Sequence, residues 1–205
     1  MNFERFKNNE FFGVWIYILA INVGIFVLQV VLGNGFTLAF ALTPATALTM
    51  PWTFVTAAFL HGGISHIFFN MFSLFIFAPI LESKFGSKRF LILYFAGAIA
   101  GNLGMFFMLS GSAVPGLGAS GAIFAVLGAL AVLEPNMVVF ISFFIPLPMW
   151  MAAIAWTILE VIGTFDPSSP IGHWAHLGGL FLGIAYAVYM KKKIKDLHHI
   201  IFKYL

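Results

Sequence analysis

The chain has 205 residues, of which 61% are apolar and only 8% are charged, and its formal net charge is +3. The mean hydropathy of +1.02 excludes an ordinary soluble domain and indicates an integral membrane protein in contact with the lipid bilayer. The sequence contains no cysteine, which excludes disulfides, cysteine nucleophiles and thiolate metal sites.

Uncharged runs of about twenty residues recur along the sequence, each long enough to cross roughly 30 Å of hydrocarbon as a helix. They predict six membrane spans: 12–32, 64–81, 90–109, 118–133, 137–162 and 172–190. The spans leave only short connections, so we expect an all-α, six-transmembrane-helix bundle that forms a single integral membrane domain over residues 1–205. The amino end has mixed charge and no small-residue cleavage site, so we expect the first span to be retained.

The basic residues predict the orientation of this bundle. With six spans, all of them fall on one side of the membrane: Arg5, Lys7, Lys84, Lys88, Arg89, Lys191, Lys192, Lys193, Lys195 and Lys203. By the positive-inside rule that side is cytoplasmic, which places both termini inside. The basic tail, 191–205, is expected to touch anionic headgroups, and the charge pattern shows no nucleic-acid footprint.

The uncharged segment 33–63 could be mistaken for a seventh span. A span here would move Lys84 and its neighbours to the outer side and break the charge asymmetry. Pro44 and Pro51 favour broken helices, and Trp52 is a residue typical of the headgroup level. We therefore expect a long, partly submerged outer loop.

Polar side chains inside a bilayer are costly unless they are paired, so their positions are informative. His66 and Asn70 are four residues apart in the outer half of the second span, on one helical face. Ser120 lies in the first turn of the fourth span, and His173 and His176 lie in the first turns of the sixth. All three spans run inward, so these side chains are expected near one level in the outer third of the membrane.

Small residues at four-residue spacing predict close packing of the fourth and sixth spans. These stripes are Gly121, Ala125 and Ala129 on the fourth span, and Ala175, Gly179, Gly183 and Ala187 on the sixth. If they face each other, Ser120 and His176 come within hydrogen-bond reach. The imidazole could then take the hydroxyl proton, as a serine nucleophile requires.

Attack on a peptide carbonyl also needs donors for the developing oxyanion. The first backbone N–H groups of the fourth span have no intrahelical acceptor, and the helix dipole adds positive potential there. His66 and Asn70 can add side-chain donors, while Gly118 and Gly121 leave room for a substrate backbone.

Three motifs carry a resemblance to a known family: "HIFFN" with His66 and Asn70, "GASG" with Ser120, and "AHLGG" with His176. In this order they resemble the rhomboid family of intramembrane serine proteases, over a core of about residues 50–187. Each motif alone is a weak signal, whereas the ordered set is specific.

The resemblance implies hydrolysis of peptide bonds in or near the transmembrane segment of a membrane-anchored protein substrate, with no cofactor and no metal. It implies a Ser120 and His176 dyad without a third acid, and an oxyanion hole formed by His66, Asn70 and the Ser120 backbone. Phe124 falls where members of the family have an aromatic ring packed against the catalytic histidine.

The resemblance further implies a structural role for Glu82, sideways entry of substrate near the fifth span, and a cap formed by loop 163–171. Two positions depart from the family pattern. Thr53 follows Trp52 where many members have arginine, and Phe124 lacks the hydroxyl of a tyrosine.

Other interpretations of these residues remain open. Ser120 alone could serve packing, and His66 and Asn70 could be interhelical glue. We expect Glu160 to be a solvated carboxylate at the membrane interface. The alternative is that it acts as a third, acidic member of the catalytic group. His173 is expected to be an interfacial or cavity residue, and His61 to be loop structure or a neighbour of the site.

Three rival functions come from other classes. A zinc site would use His61, His66, His173 and His176, but the sequence has no H-E-x-x-H helix. A transporter or channel would need polar groups in the inner halves of the helices, where almost none occur. A catalytically inactive binding scaffold would need neither Ser120 nor His176.

The sequence therefore predicts an intramembrane serine endopeptidase whose water-filled cavity opens to the extracytoplasmic side, in what we expect to be a prokaryotic cell membrane. It specifies neither the natural substrate nor the oligomeric state.

Overall fold

The structure, a computed structural model, describes residues 13–141, 144–166, 168–169 and 171–203, with side chains described as far as Lys192. Its helices are α1 (Val14–Leu32), α2 (Asn34–Phe40), α3 (Thr53–Thr56), α4 (Ile64–Phe85), α5 (Ser87–Met108), α6 (Ser120–Leu133), α7 (Met149–Gly163) and α8 (His173–Lys203). Two short strands, β1 (Val138–Ile141) and β2 (Ile145–Pro148), precede α7. Arg5, Lys7 and the side chains of Lys193, Lys195 and Lys203 lie outside the described part of the chain.

Three of the described helices, α1, α4 and α5, are long and apolar enough to cross a membrane. Helices α6 and α7 are apolar but shorter, with 14 and 15 residues. Large apolar side chains such as Val31 and Phe75 are exposed on the outer faces of the long helices. Exposed apolar faces on long helices are what contact with lipid requires.

The prediction of one continuous helix over 137–162 is wrong in its first part. Strands β1 and β2 form an antiparallel hairpin in which Val138 pairs with Pro148 and Ile141 with Ile145. Hydropathy cannot separate a short apolar strand from a buried helix, but Pro146 and Pro148 remove backbone donors that a helix would need. The described chain is therefore mostly helical rather than all-α, and α7 begins directly after Pro148.

Segment 33–63 forms short helices rather than one long helix. It holds α2, α3 and a 3-10 turn at Ala57–Phe59. The indole N–H of Trp52, which is 48% exposed, donates to the carbonyl of Ala39 at 2.9 Å. Thr53 is fully buried, and its hydroxyl donates to the Met50 carbonyl at 2.7 Å. A long arginine side chain would not fit this Thr53 environment without rearrangement.

Helix α6 lies at the centre of the bundle. Its backbone packs directly against the backbone of α8, without side chains between them. A methyl group on Gly179 would overlap the carbonyl of Gly121, and one on Gly183 would overlap that of Ala125. These contacts confirm that the two small-residue stripes face each other. Helix α5 also packs against α8, since a methyl on Gly101 would lie 2.7 Å from the Ala175 carbonyl.

Charged side chains gather where α4 and α6 end. Lys84 forms an ion pair with Glu134, and Lys191 Nζ donates to the Val132 carbonyl at 3.3 Å. The opposite end of the bundle, where α4, α6 and α8 begin, carries the polar residues predicted for the site: His66, Asn70, Ser120 and His176. The bundle thus has one basic end and one end that carries the candidate site.

Glu82 joins the basic end of α4 to the start of α1. Its carboxylate accepts the backbone N–H of Val14 at 2.9 Å and of Trp15 at 3.1 Å, together with the hydroxyl of Ser87 at 2.6 Å. The carboxylate therefore satisfies donors that a helix start leaves without partners.

Candidate active site

Ser120 is the first residue of α6, as predicted for the first turn of the fourth span. The loop before it is fixed by Gly118, whose φ of +129° favours glycine and whose N–H donates to the Ala57 carbonyl at 2.9 Å. Ile123 is bonded to the carbonyl of Ala119 at 3.0 Å. The amide groups before Ile123 in this turn have no carbonyl one turn earlier, which leaves them available as donors beside Ser120.

His66 and Asn70 lie on the α4 face that meets this loop. A methyl group on Gly118 would be 2.7 Å from His66 Nε2 and 3.6 Å from Asn70 Nδ2. His66 Nδ1 accepts the N–H of Gly62 at 3.2 Å, so a neutral His66 carries its proton on Nε2, towards Gly118. Asn70 Nδ2 is buried and has no hydrogen-bond partner among the described residues. Two side-chain donors thus converge on the glycine two residues before Ser120.

His176 is buried at the end of the first turn of α8, where it contacts side chains from α6 and α7. Its ring is stacked on that of Phe124, with the centroids 4.3 Å apart and the planes 8° apart. This contact confirms the packing expected at Phe124.

The backbones next to Ser120 and His176 are in contact. Gly121 follows the serine and Ala175 precedes the histidine, and a methyl on Gly121 would lie 3.4 Å from the Ala175 carbonyl. The structure therefore brings together the two helix starts that carry these side chains. Ser120 itself is partly exposed, which leaves its hydroxyl accessible.

Glu160 is not the solvated interfacial carboxylate expected by default. It is buried, with 9% of its surface exposed, near the end of α7. Its Oε1 lies 2.9 Å from His176 Nδ1, and its Oε2 lies 2.6 Å from His173 Nδ1. At His176 the carboxylate lies off the direction of the ring N–H, so this contact is an ion-pair approach rather than a straight hydrogen bond.

His173 belongs to the same cluster as Glu160 and His176. Its Nε2 lies 2.8 Å from the hydroxyl of Ser169, in the segment between α7 and α8. Gly163 makes room for the ring, because a methyl group there would overlap it. No sequence spacing predicts these pairings, since Glu160 and the histidines lie on different helices.

His61 is a buried neighbour of the site, one of the two roles expected for it. Its ring packs edge-on against that of His66, with centroids 5.2 Å apart. Burial, with a smaller contribution from His66, lowers the pKa of His61 to about 4, so the ring is neutral near pH 7. Gln29 holds its backbone through two hydrogen bonds, of 2.8 and 3.3 Å. Within the described ranges, no three His, Asp or Glu side chains are grouped so that they could hold a metal ion.

These features define a helical membrane protein with a buried polar cluster at one end of its bundle. A family model for the Rhomboid domain matches residues 48–193. The chain belongs to the rhomboid family.

Relatives carry rhomboid names in several organisms. The chain is 32% identical to "Rhomboid protein 1, mitochondrial" of Saccharomyces cerevisiae, over 87% of this chain and 53% of the yeast protein. It is 33% identical to "RHOMBOID-like protein 12, mitochondrial" of Arabidopsis thaliana, over 62% of this chain and 43% of that protein. It is 34% identical to "Rhomboid protease GluP" of Bacillus subtilis, over 64% of this chain and 24% of that protein.

The chain spans about half the length, or less, of these curated relatives. The match to the Rhomboid family model and the long apolar helices together identify an integral membrane protein. Two of these relatives are named as mitochondrial and one is bacterial, so the relatives give no support to the expectation of a prokaryotic membrane.

Proposed function

We propose that the protein is an intramembrane serine endopeptidase that cleaves membrane-anchored proteins in or near their transmembrane segments, with Ser120 and His176 as its catalytic dyad. One observation carries this proposal: Ser120 and His176 lie in the first turns of two helices that pack so closely that a methyl group on Gly179 would overlap the Gly121 carbonyl. The family supports it, because some rhomboid relatives are named proteases.

In the proposed reaction His176 Nε2 takes the proton of the Ser120 hydroxyl while the oxygen attacks the substrate carbonyl carbon. The negative charge that develops on the carbonyl oxygen is stabilised by the first-turn amide groups of α6, by His66 Nε2–H and by the Asn70 amide. Collapse of this intermediate breaks the peptide C–N bond, and the histidine gives its proton to the leaving amine. Water then hydrolyses the acyl-serine ester by the same route.

The unpaired amide of Asn70 supports this assignment. A buried N–H without a partner costs stability, typically about 1–3 kcal/mol, and such groups occur at functional sites. An oxyanion between Gly118 and Ser120 would supply the missing acceptor. Gly118 and Gly121 leave that space open, because a side chain at Gly118 would collide with His66.

We propose that α1, α4, α5, α6, α7 and α8 cross the membrane, so that residues 1–205 form one membrane domain with a core of about 50–187. The basic end with Lys84 and Lys191 then faces the cytoplasm together with both termini and the tail 191–205, and segment 33–63 lies in the outer interface. The candidate site opens to the extracytoplasmic side. The natural partners are a membrane-anchored substrate and the surrounding lipid, with no cofactor required.

The test uses purified protein in detergent and in liposomes with a model single-span substrate, and mass spectrometry locates the cut. We expect cleavage by the wild type and by Ser83→Ala, an exposed serine at the basic end of α4. We expect none by Ser120→Ala or His176→Ala. Unchanged cleavage in either of these variants would refute the dyad, and loss of activity on chelation would favour a metal enzyme. A wild type that binds but never cleaves would indicate an inactive scaffold.

A further inference from the structure

We propose that Glu160 is a positioning residue for His176, the histidine of the proposed dyad. This inference rests on the proposed function. It starts from the Oε1 to Nδ1 distance of 2.9 Å between two side chains that are each only 11% exposed. Nδ1 is the ring nitrogen that does not serve as the base in the proposed reaction.

The carboxylate is held in place from its other side. His173 Nδ1 lies 2.6 Å from Oε2, and the Ser169 hydroxyl lies 2.8 Å from the remaining nitrogen of His173. Glu160 is therefore fixed by a second imidazole that is itself fixed, and only Oε1 is directed to His176. A solvated carboxylate would have no such arrangement.

Phe124 restricts the tilt of the His176 ring, which the contact with Glu160 does not control. Its stacking at 4.3 Å and 8° holds the plane of the His176 ring, while the contact with Glu160 acts on rotation within that plane. Together these two contacts would aim Nε2 away from α7 and towards the start of α6, where Ser120 lies. The bent approach at Nδ1 is of the kind that tightens when substrate binds.

A carboxylate at this position has two chemical effects. It favours the tautomer with the proton on Nδ1, which leaves Nε2 free to accept the serine proton. It also stabilises the imidazolium that forms when that proton is transferred, and it does so strongly because the pair is shielded from water. The proton moves from the Ser120 oxygen to Nε2 and later to the leaving amine, while Glu160 stays ionised throughout.

If Glu160 has a purely structural role, different results are expected. As a tether between α7 and α8, Glu160 would contribute to the melting temperature, and His173→Gln and Glu160→Gln would have similar effects because both remove the Oε2 contact. As a positioning residue, Glu160 contributes to kcat through His176, which His173 reaches only indirectly. The two variants then separate in kcat and not in thermal stability.

The experiment measures kcat and KM on the model substrate, and the rate at which a fluorophosphonate probe labels Ser120. For Glu160→Gln we expect kcat and labelling to fall by about 10- to 1,000-fold with KM within about twofold, because the lost interaction acts on proton transfer. For His173→Gln we expect a fall of less than about tenfold, and for Glu160→Asp a value between wild type and Glu160→Gln. The matched control is Glu134→Gln, which removes the same charge at the opposite end of the bundle.

A Glu160→Gln variant with wild-type kcat and labelling would overturn the inference, as would equal losses in Glu160→Gln and His173→Gln. If Glu160→Gln does not fold, wild-type kcat in both Glu160→Asp and His173→Gln would overturn it. Ser120→Ala keeps the two proposals apart. If Ser120→Ala is inactive and the wild type is active, the proposed endopeptidase function is supported whatever the result for Glu160. If the wild type shows neither cleavage nor labelling, both proposals are refuted.

Discussion

The ring of Phe124 lies parallel to that of His176, one turn below Ser120 on α6, with 4.3 Å between the centroids. Stacking at this distance restricts rotation of the imidazole and shields one of its faces from water. A neighbour without a ring would allow the imidazole to sample other rotamers. Phe124 therefore links the packing of α6 against α8 to the orientation of the His176 ring.

Replacing Phe124 by leucine is expected to lower kcat by about tenfold, because an aromatic contact worth roughly 0.5–1.5 kcal/mol no longer holds the ring. Phe124→Tyr keeps the ring and should retain most of the activity. The measurement is steady-state cleavage of the model substrate. A leucine variant as active as the tyrosine variant would show that the stacking does not position His176.

Asn70→Leu is expected to lower kcat by about a hundredfold or more, the usual cost of losing one oxyanion donor. Its thermal stability should be unchanged or higher, because the replaced Nδ2 has no hydrogen-bond partner in the part of the chain that the structure describes. If Asn70 instead held two helices together through a hydrogen bond, the thermal stability of Asn70→Leu would fall. Cleavage kinetics and a thermal unfolding scan on one preparation separate the two roles.

Gly179→Ala is expected to weaken both stability and activity, because the added methyl overlaps the Gly121 carbonyl and pushes α8 from the helix that carries Ser120. Overpacking of this kind typically costs about 1–3 kcal/mol. Gly24→Ala is the matched control, since the space around Gly24 on α1 is open. Thermal unfolding in detergent should distinguish them, and equal melting temperatures would contradict the tight contact.

Glu82→Gln is expected to lower the free energy of unfolding by about 1–3 kcal/mol, because a buried carboxylate that accepts bonds from Val14, Trp15 and Ser87 loses its charge and one acceptor. The catalytic rate of the folded fraction should not change, since the site lies at the other end of the bundle. Glu134→Gln, at the same end but partly exposed, should cost less than about 1 kcal/mol. Similar losses in the two variants would argue against the capping role.

The buried ring of His61 predicts an acid-sensitive fold. Its pKa is about 4 in the folded protein and about 6.5 when unfolded, so protons bind more tightly to the unfolded state. Stability is then complete above pH 6.5 and is lost as the pH falls towards 4, by up to about 3 kcal/mol at 1.36 kcal/mol per pH unit. His61→Gln should show a flatter dependence of melting temperature on pH between 6.5 and 4. Parallel curves for the two proteins would count against this assignment.

Much of the site follows from local sequence, and the structure supports that reasoning. Helix periodicity places His66 and Asn70 on one face, and the glycine stripes require α6 and α8 to approach closely. Both stripes are in contact through Gly179 and Gly183. These features are predictable because small residues at four-residue spacing have few other uses inside a membrane.

Two features were not predictable, for different reasons. Strands β1 and β2 are as hydrophobic as a span, and only Pro146 and Pro148 distinguish them from one. The contacts of Glu160 depend on how α7 meets α8, and a single sequence contains no signal for a pairing between helices. A carboxylate near a helix end looks solvated until its neighbours are known.

The length of α7 has a consequence for the lipid around the protein. At 15 residues it is about 22 Å long, against roughly 30 Å for the hydrocarbon layer, and Ile158 and Ile162 on its surface are exposed. In the proposed orientation this difference in length is relieved if the bilayer becomes thinner beside the helix. A protein segment that drifts along the membrane towards α7 would therefore meet water and headgroups at a depth where, elsewhere, it would still be surrounded by acyl chains.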